Sequence, residues 1–80
     1  MDRLNFDYSK LKGKIVEVLE NQSNYAKALE LSETSVTNKL NNNVYFTQRE
    51  IYLSLKVLNI ATDDIGTYFF TEKVEKTKQE

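Results

Sequence analysis

Apolar residues recur along the chain with the spacing of amphipathic helices, and this pattern predicts a compact all-α bundle of about five short helices. In the first segment, residues 8–20, apolar side chains return every three or four positions, as they do on the buried face of a helix. Further segments show the same spacing. They are residues 23–29, residues 33–40, a helix that begins after Thr47 and a short helix that begins at Thr62.

Polar residues at the segment ends predict where these helices begin and stop. Asp7 is the expected N-cap of the first helix and Ser32 that of the third, because short polar side chains accept hydrogen bonds from the free N–H groups there. Thr47 and Glu50 have the spacing of a capping box at the start of the fourth helix. The second helix would be capped by Asn21 or Ser23, and the third would be stopped by Asn41, Asn42 and Asn43.

The same spacing predicts which side of each helix is buried. Gly13 lies within the first helix, where glycine costs about 1 kcal/mol relative to alanine, so we expect close packing at that position. Tyr45 or Phe46 is expected to pack against the fourth helix as a hydrophobic staple. The predicted buried stripes are Tyr8, Leu11, Ile15, Val18 and Leu19 in the first helix, and Ile51, Leu55 and Leu58 in the fourth.

The C-terminal part of the chain has a different character. Tyr68, Phe69 and Phe70 are consecutive, and aromatic residues favour strands. A short extended arm therefore competes with a continued helix over residues 67–74. Residues 75–80 are mostly charged, and we expect them to form a frayed tail.

The composition limits the chemistry that the protein can carry out. The chain has 80 residues, 40% of them hydrophobic, and it contains neither cysteine nor histidine. A zinc finger, a disulfide scaffold and a Cys or His nucleophile are thereby excluded, and we expect no enzyme, no cofactor and no metal. No apolar run approaches the roughly 20 residues that span a bilayer, and no signal peptide is evident, so we expect a cytoplasmic protein with no membrane partner. We also expect no small-molecule substrate.

The charge of the chain is nearly balanced. It has 11 basic and 12 acidic residues, which give a net charge of −1. Domains that bind nucleic acids are often clearly basic. The balance excludes a polybasic arm, leaves room for a local basic face, and brings a protein partner into consideration.

The second and third predicted helices form the most informative unit of the sequence. A tight turn, Glu30-Leu31-Ser32, separates them, and the small Ala26 stands where one helix must approach the other closely. This arrangement predicts a helix-turn-helix. Glu30 occupies the turn position where glycine is usual, and a left-handed backbone there would cost roughly 1 kcal/mol. Asn42 follows the third helix at another such position and tolerates the left-handed conformation well.

The helix-turn-helix segment, residues 21–41, resembles that of phage repressors. Residues 5–13 and 68–74 are similar to the ends of small Cro-like regulators from temperate phages of Gram-positive hosts. The resemblance covers about residues 4–74 and implies a lambda-repressor-like fold, with residues 1–74 forming one domain. Some members of that group are described as modulators that pair with the phage's main repressor. The positions that match the helix-turn-helix pattern are Gln22, Ala26, Leu29, Leu31, Ser32 and Val36.

The outward side of the third helix would carry the contacts to DNA bases. A recognition helix lies in the major groove with its outward side chains on base edges. Threonine, asparagine and glutamate can each pair with particular base edges, although they can equally be solvated residues of an exposed helix. With Val36 and Leu40 facing inward, the candidates for base contacts are Glu33, Thr34, Thr37 and Asn38.

A second set of residues would contact DNA phosphates. The N-terminus of the second helix presents free N–H groups and the positive end of a dipole, which suit an anion. Lysine side chains and asparagine amides can add further contacts. Capping, helix stopping and simple solvation are the competing interpretations. The candidates are Gln22, Ser23, Lys10, Lys14, Lys39, Asn41 and Asn43.

Two functional hypotheses follow. In the first, the protein is a Cro-like transcriptional regulator that binds double-stranded operator DNA as a homodimer and acts in the lytic/lysogenic switch. In the alternative, it is a modulator or antirepressor that forms a heteromer with the cognate repressor, and its helix-turn-helix surface could mask the DNA contacts of that partner. The candidates for a dimer or partner contact are Tyr45, Tyr52, Tyr68 and Phe70.

Overall fold

Helices make up most of the structure, a computed structural model that describes residues 5–73. The predicted all-α class with five helices is confirmed over these residues, where extended pairing is limited to one isolated antiparallel bridge between Phe6 and Glu72. The expectations for Val74 and for the tail at residues 75–80 lie outside the described residues. The elements are α1 (Ser9–Leu19), α2 (Gln22–Leu29), α3 (Glu33–Leu40), α4 (Gln48–Val57), a 3-10 turn (Thr62–Asp64) and α5 (Ile65–Phe69).

The predicted caps of α2, α3 and α4 are confirmed. Asn21 caps α2, and the Ser32 hydroxyl caps α3 by accepting the Ser35 N–H at 3.1 Å. At the start of α4, the Thr47 hydroxyl accepts the Glu50 N–H at 3.1 Å, and the Glu50 carboxylate accepts the Thr47 N–H at 2.9 Å. Local sequence therefore fixes the start of three of the five helices.

The start of α1 differs from the prediction. Tyr8, not Asp7, occupies the N-cap position, and its side chain makes no capping bond. Asp7 instead accepts hydrogen bonds from the hydroxyl and the backbone N–H of Ser9, the latter at 2.9 Å. These bonds favour the charged carboxylate and lower the pKa of Asp7. The Asp7 carboxylate therefore still accepts a free N–H group of the first turn of α1, but it does so from one position before the N-cap.

The core gathers around α2, which packs against α1, α3 and α4. Phe46, just before α4, lies edge-on to two core rings, with centroids 5.4 Å from Tyr8 and 5.3 Å from Phe69. The buried positions of α2 are Tyr25, Ala26 and Leu29. The remaining core residues are Phe6, Tyr8, Leu11, Ile15, Val36, Leu40, Leu58, Ile60 and Phe69.

Two expectations for α1 are wrong. Val18 is 40% exposed, because the buried line of α1 runs through Leu11 and Ile15 in steps of four residues and reaches Leu19 rather than Val18. Gly13 makes no close packing contact, since a Cβ built there would meet nothing within 4 Å. The glycine therefore faces open space on the outer side of the helix.

The buried line of α4 also differs from the prediction. It runs through Glu50, Ser54 and Leu58, whereas Ile51 and Leu55 lie beside it and are half-buried. Two polar side chains therefore point inward, and each one has partners there. Such partners make the burial of polar groups acceptable.

Tyr25 of α2 and Ser54 of α4 are joined by a buried hydrogen bond. Their hydroxyl oxygens lie 2.6 Å apart, and the Ser54 hydroxyl donates to the backbone carbonyl of Glu50 at 2.7 Å. Because Ser54 has a single hydrogen to give, the Tyr25 hydroxyl is the donor to Ser54. Burial raises the pKa of Tyr25 above its ordinary value.

The extended alternative describes the chain after α5. The helix ends at Phe69, and the following residues run beside the segment that precedes α1. The Asp7 N–H donates to the Thr71 carbonyl at 2.7 Å, and the Lys73 N–H donates to the Asn5 carbonyl at 3.0 Å. The two ends of the described chain are thus paired with each other.

Replacing Gly13 by alanine should stabilise the protein. The position is inside a helix and open to solvent, so alanine adds helix propensity without a clash. We expect the free energy of unfolding to rise by about 1 kcal/mol, measured by chemical denaturation. A decrease would show that the backbone at Gly13 requires glycine.

Replacing Tyr25 by phenylalanine should remove one buried hydrogen bond and lower the free energy of unfolding by about 1 kcal/mol at neutral pH. The wild-type phenol has a raised pKa in the folded state, so its stabilising effect is complete below pH 10 and is lost as the pH rises above that value. Denaturation at neutral pH and at about pH 11 should therefore show a steeper loss for the wild type than for Tyr25→Phe. Equal losses would contradict this assignment.

Candidate interaction surface

The helices α2 and α3 form the predicted helix-turn-helix. Glu30 has a φ of 62°, which is the left-handed conformation expected at the turn, and the Leu31 N–H donates to the Ala26 carbonyl at 2.9 Å. Val36 and Leu40 are buried and hold α3 against the core. The bend therefore fixes which side of α3 faces outward.

The outward side of α3 is polar and carries one acidic residue. Glu33, Thr34 and Thr37 are exposed, whereas Asn38 is half-buried. The Asn38 side-chain oxygen accepts a hydrogen bond from the Asn43 amide at 3.3 Å. All four candidates for base contacts thus lie on the side of α3 away from the core or at its edge, and their role in DNA binding stays a prediction.

The structure places Lys39 away from the surface where a phosphate contact was expected. Lys39 is only 7% exposed, because it follows Val36 by three residues and shares the buried side of α3. Its ammonium nitrogen lies 3.1 Å from a carboxylate oxygen of Glu50 and donates to the Tyr45 carbonyl at 3.2 Å. The single lysine of α3 is therefore engaged inside the protein.

The other candidates for phosphate contacts are spread over three parts of the molecule. Gln22 is exposed and Ser23 is half-buried at the start of α2, and Lys10 is exposed on α1. Lys14 is half-buried and its ammonium lies 4.0 Å from the Glu17 carboxylate. Asn41 and Asn43 are exposed after α3. Their contacts with phosphate stay predictions.

Asn42, between Asn41 and Asn43, has a structural role. It is buried, has a φ of 67° as expected for a left-handed position, and holds the segment before α1. Its side-chain oxygen accepts the Phe6 N–H at 2.8 Å, and its amide donates to the Phe6 carbonyl at 3.0 Å. The two residues are 36 positions apart, so nothing in the local sequence pattern indicated this pair.

Arg49 is a second residue that the sequence analysis did not identify. It lies in the first turn of α4, and its guanidinium is 3.2 Å from the carboxylate of Glu30 in the helix-turn-helix turn. Both side chains are exposed to solvent. The acidic residue in a position where glycine is usual thus faces a cation on the neighbouring helix.

An aromatic patch at the surface consists of the exposed Tyr45 and Phe70 and the buried Phe6 ring between them. Tyr45 and Phe70 are 49% and 52% exposed and flank the Phe6 ring, with centroid distances of 6.3 and 5.7 Å in edge-on geometry. A cavity of about 240 Å³ opens beside the patch. Its walls are Phe6, Tyr8, Tyr45, Phe46, Ile51, Phe69 and Phe70.

The remaining two partner candidates differ in exposure. Tyr52 is 57% exposed on α4 and lines an open groove of about 650 Å³ that also reaches Phe70. The Lys56 ammonium lies 5.2 Å from the centre of the Tyr52 ring. Tyr68 is half-buried against the core. Tyr45, Phe70 and Tyr52 therefore border two adjoining hollows, whereas Tyr68 has a packing role.

Over residues 5–73, no group of three or more acidic residues, histidines or cysteines is placed to hold a metal ion. None of the helices in this part of the chain is long and apolar enough to cross a membrane.

Comparison with known proteins finds a family model and a solved structure that match this chain. A family model described as "Protein of unknown function (DUF739)" matches residues 4–72. The solution structure of the modulator of repression (MOR) of the temperate bacteriophage TP901-1 from Lactococcus lactis matches with a TM-score of 0.74 and 44% identity, over 88% of this chain and 95% of that one. A comparison with curated proteins found no match. The resemblance to phage repressor modulators is therefore confirmed, and the chain belongs to the DUF739 family as a homologue of the modulator of repression of phage TP901-1.

Proposed function

We propose that this protein modulates repression in a temperate phage by binding the phage's main repressor protein. The observation that carries the proposal is the aromatic patch, where Tyr45 and Phe70 stand half-exposed against Phe6 beside an open cavity. The homologue that shares 44% of its sequence is a modulator of repression, which supports the same conclusion. Binding would change how much operator DNA the repressor occupies and so shift the switch between lysogeny and lysis.

The patch has the properties of a protein-binding hot spot. Aromatic side chains dominate interface energies because they bury a large area at a small cost in conformational entropy. Burying the exposed half of each ring would stabilise a complex by about 1 kcal/mol from apolar area alone, and fitting a partner side chain into the cavity would add to this. The cavity is lined almost entirely by aromatic rings, so an apolar side chain suits it best.

The charges around the helix-turn-helix favour a protein partner over direct DNA binding. Affinity for DNA depends strongly on the number of phosphates that lysine and arginine neutralise. Lys39 is buried against Glu50, and Arg49 faces the carboxylate of Glu30. Because Glu33 adds a negative charge at the start of α3, the outward side of α3 is poorly suited to a phosphate backbone.

Direct operator binding is the second candidate function. The observation in its favour is the bend between α2 and α3, which leaves Thr34 and Thr37 exposed on the outward side of α3. In this case two copies would place their α3 helices in adjacent major grooves about 34 Å apart.

Alanine at both Tyr45 and Phe70 should weaken the complex with the repressor encoded by the same phage. Losing two hot-spot rings costs about 3 kcal/mol, which corresponds to roughly a hundredfold in Kd. Calorimetric titration with purified repressor would measure this change in Kd. Val16→Ala is the matched control, because Val16 is an exposed apolar residue of α1 outside the patch. The affinity of this variant for the repressor should equal that of the wild type. Wild-type affinity of the double variant would contradict the proposal.

A gel shift with the DNA that flanks the gene separates the two functions. We expect the protein alone to give no sequence-specific shift, and its addition to a repressor–operator complex to change the shift that the repressor gives. Should the protein alone shift a specific site, and should Thr34→Ala with Thr37→Ala abolish that shift, direct operator binding would be the function.

A further inference from the structure

We infer that Lys39 is a positioning residue whose ammonium group holds Tyr45 in the geometry needed to bind the repressor. The inference rests on the proposed function and assigns a role to a residue that does not itself touch the partner. Lys39 lies on α3, whereas Tyr45 belongs to the connection between α3 and α4.

The contacts of Lys39 join three consecutive parts of the chain. Its ammonium donates to the Tyr45 carbonyl at 3.2 Å and lies 3.1 Å from the Glu50 carboxylate. The same Glu50 oxygen accepts the Thr47 N–H at 2.9 Å. One buried ion pair therefore connects the end of α3, the backbone at Tyr45 and the first turn of α4.

Tyr45 lies between two further anchored points of the connection. Upstream, the Asn43 N–H donates to the Asn38 carbonyl at 2.8 Å, and downstream Thr47 is held by the capping box. The Lys39 bond holds the carbonyl of Tyr45 itself, and the adjoining Cα carries the half-exposed ring that reaches the edge of Phe6. The direction of the Tyr45 ring therefore depends on the position of the Lys39 ammonium.

Stability alone is a poor explanation for the charged pair. Both residues are 7% exposed, and removing two charges from water offsets most of the attraction between them. Buried ion pairs can often be replaced by apolar groups of similar volume without loss of stability. Glutamine would also serve at position 50 for capping, because a capping box accepts either Glu or Gln. What the charged pair adds is a fixed location for the Tyr45 carbonyl.

The test is the double variant Lys39→Met with Glu50→Gln, which removes both charges and keeps the apolar stem and the capping oxygen. We expect this variant to remain folded. The Tyr45 ring resonances should shift and the NOEs between the Tyr45 and Phe6 rings should weaken. The affinity for the repressor of the same phage should fall about tenfold. Arg49→Met with Glu30→Gln is the matched control for the ring resonances, since this exposed pair does not contact Tyr45, and it should leave them unchanged.

Combination with Tyr45→Ala distinguishes positioning from a general structural effect. If Lys39 acts through Tyr45, neutralising the pair in a Tyr45→Ala protein should cause no further loss of affinity. An equal loss in both backgrounds would overturn the inference, and so would unchanged Tyr45 resonances in the double variant.

If the double variant Lys39→Met with Glu50→Gln does not fold, Lys39→Arg provides a second variant, in which the positive charge is kept. The larger planar group moves the donor atoms, so Tyr45 resonances and repressor affinity should change together. Wild-type values of both would overturn the inference. Failure of the wild-type protein to bind the repressor would overturn the proposed function and this inference together, whereas normal binding with unchanged Tyr45 resonances in the variants overturns this inference alone.

Discussion

The buried ion pair between Lys39 and Glu50 is the interaction on which the surface of this protein depends. It holds the one lysine of α3 inside the protein, and it joins the end of α3 to the backbone at Tyr45 and to the first turn of α4. As a result, the outward side of α3 presents short polar side chains and the carboxylate of Glu33. The same pair holds in place the loop that displays one edge of the aromatic patch.

Much of the fold could be predicted from local sequence because its causes are local. A cap such as Ser32 or Thr47 acts within four residues of itself, and the left-handed positions at Glu30 and Asn42 follow from turn geometry. The inward direction of Val36 follows from helical period alone. These features need no knowledge of the rest of the molecule.

The features that could not be predicted depend on contacts between distant residues. Lysine side chains are almost never fully buried unless they are paired, so the sequence alone places Lys39 at the surface. Its burial in the structure depends on the carboxylate of Glu50, which lies on another helix. The inward positions of Glu50 and Ser54 depend in the same way on Lys39 and Tyr25, which lie on other helices. Tyr45 and Phe70 are partner candidates on the sequence alone, but their meeting around Phe6 depends on the fold. The aromatic patch is therefore a tertiary feature built from individually ambiguous residues.

In the proposed function, the protein acts on the phage repressor through the aromatic patch. The most direct measurement is an NMR titration of isotope-labelled protein with unlabelled repressor and, separately, with operator DNA. We expect chemical-shift changes concentrated at Phe6, Tyr45 and Phe70 on addition of repressor, and none of comparable size with DNA alone. Changes confined to Thr34 and Thr37 on addition of DNA, with no response to the repressor, would contradict it.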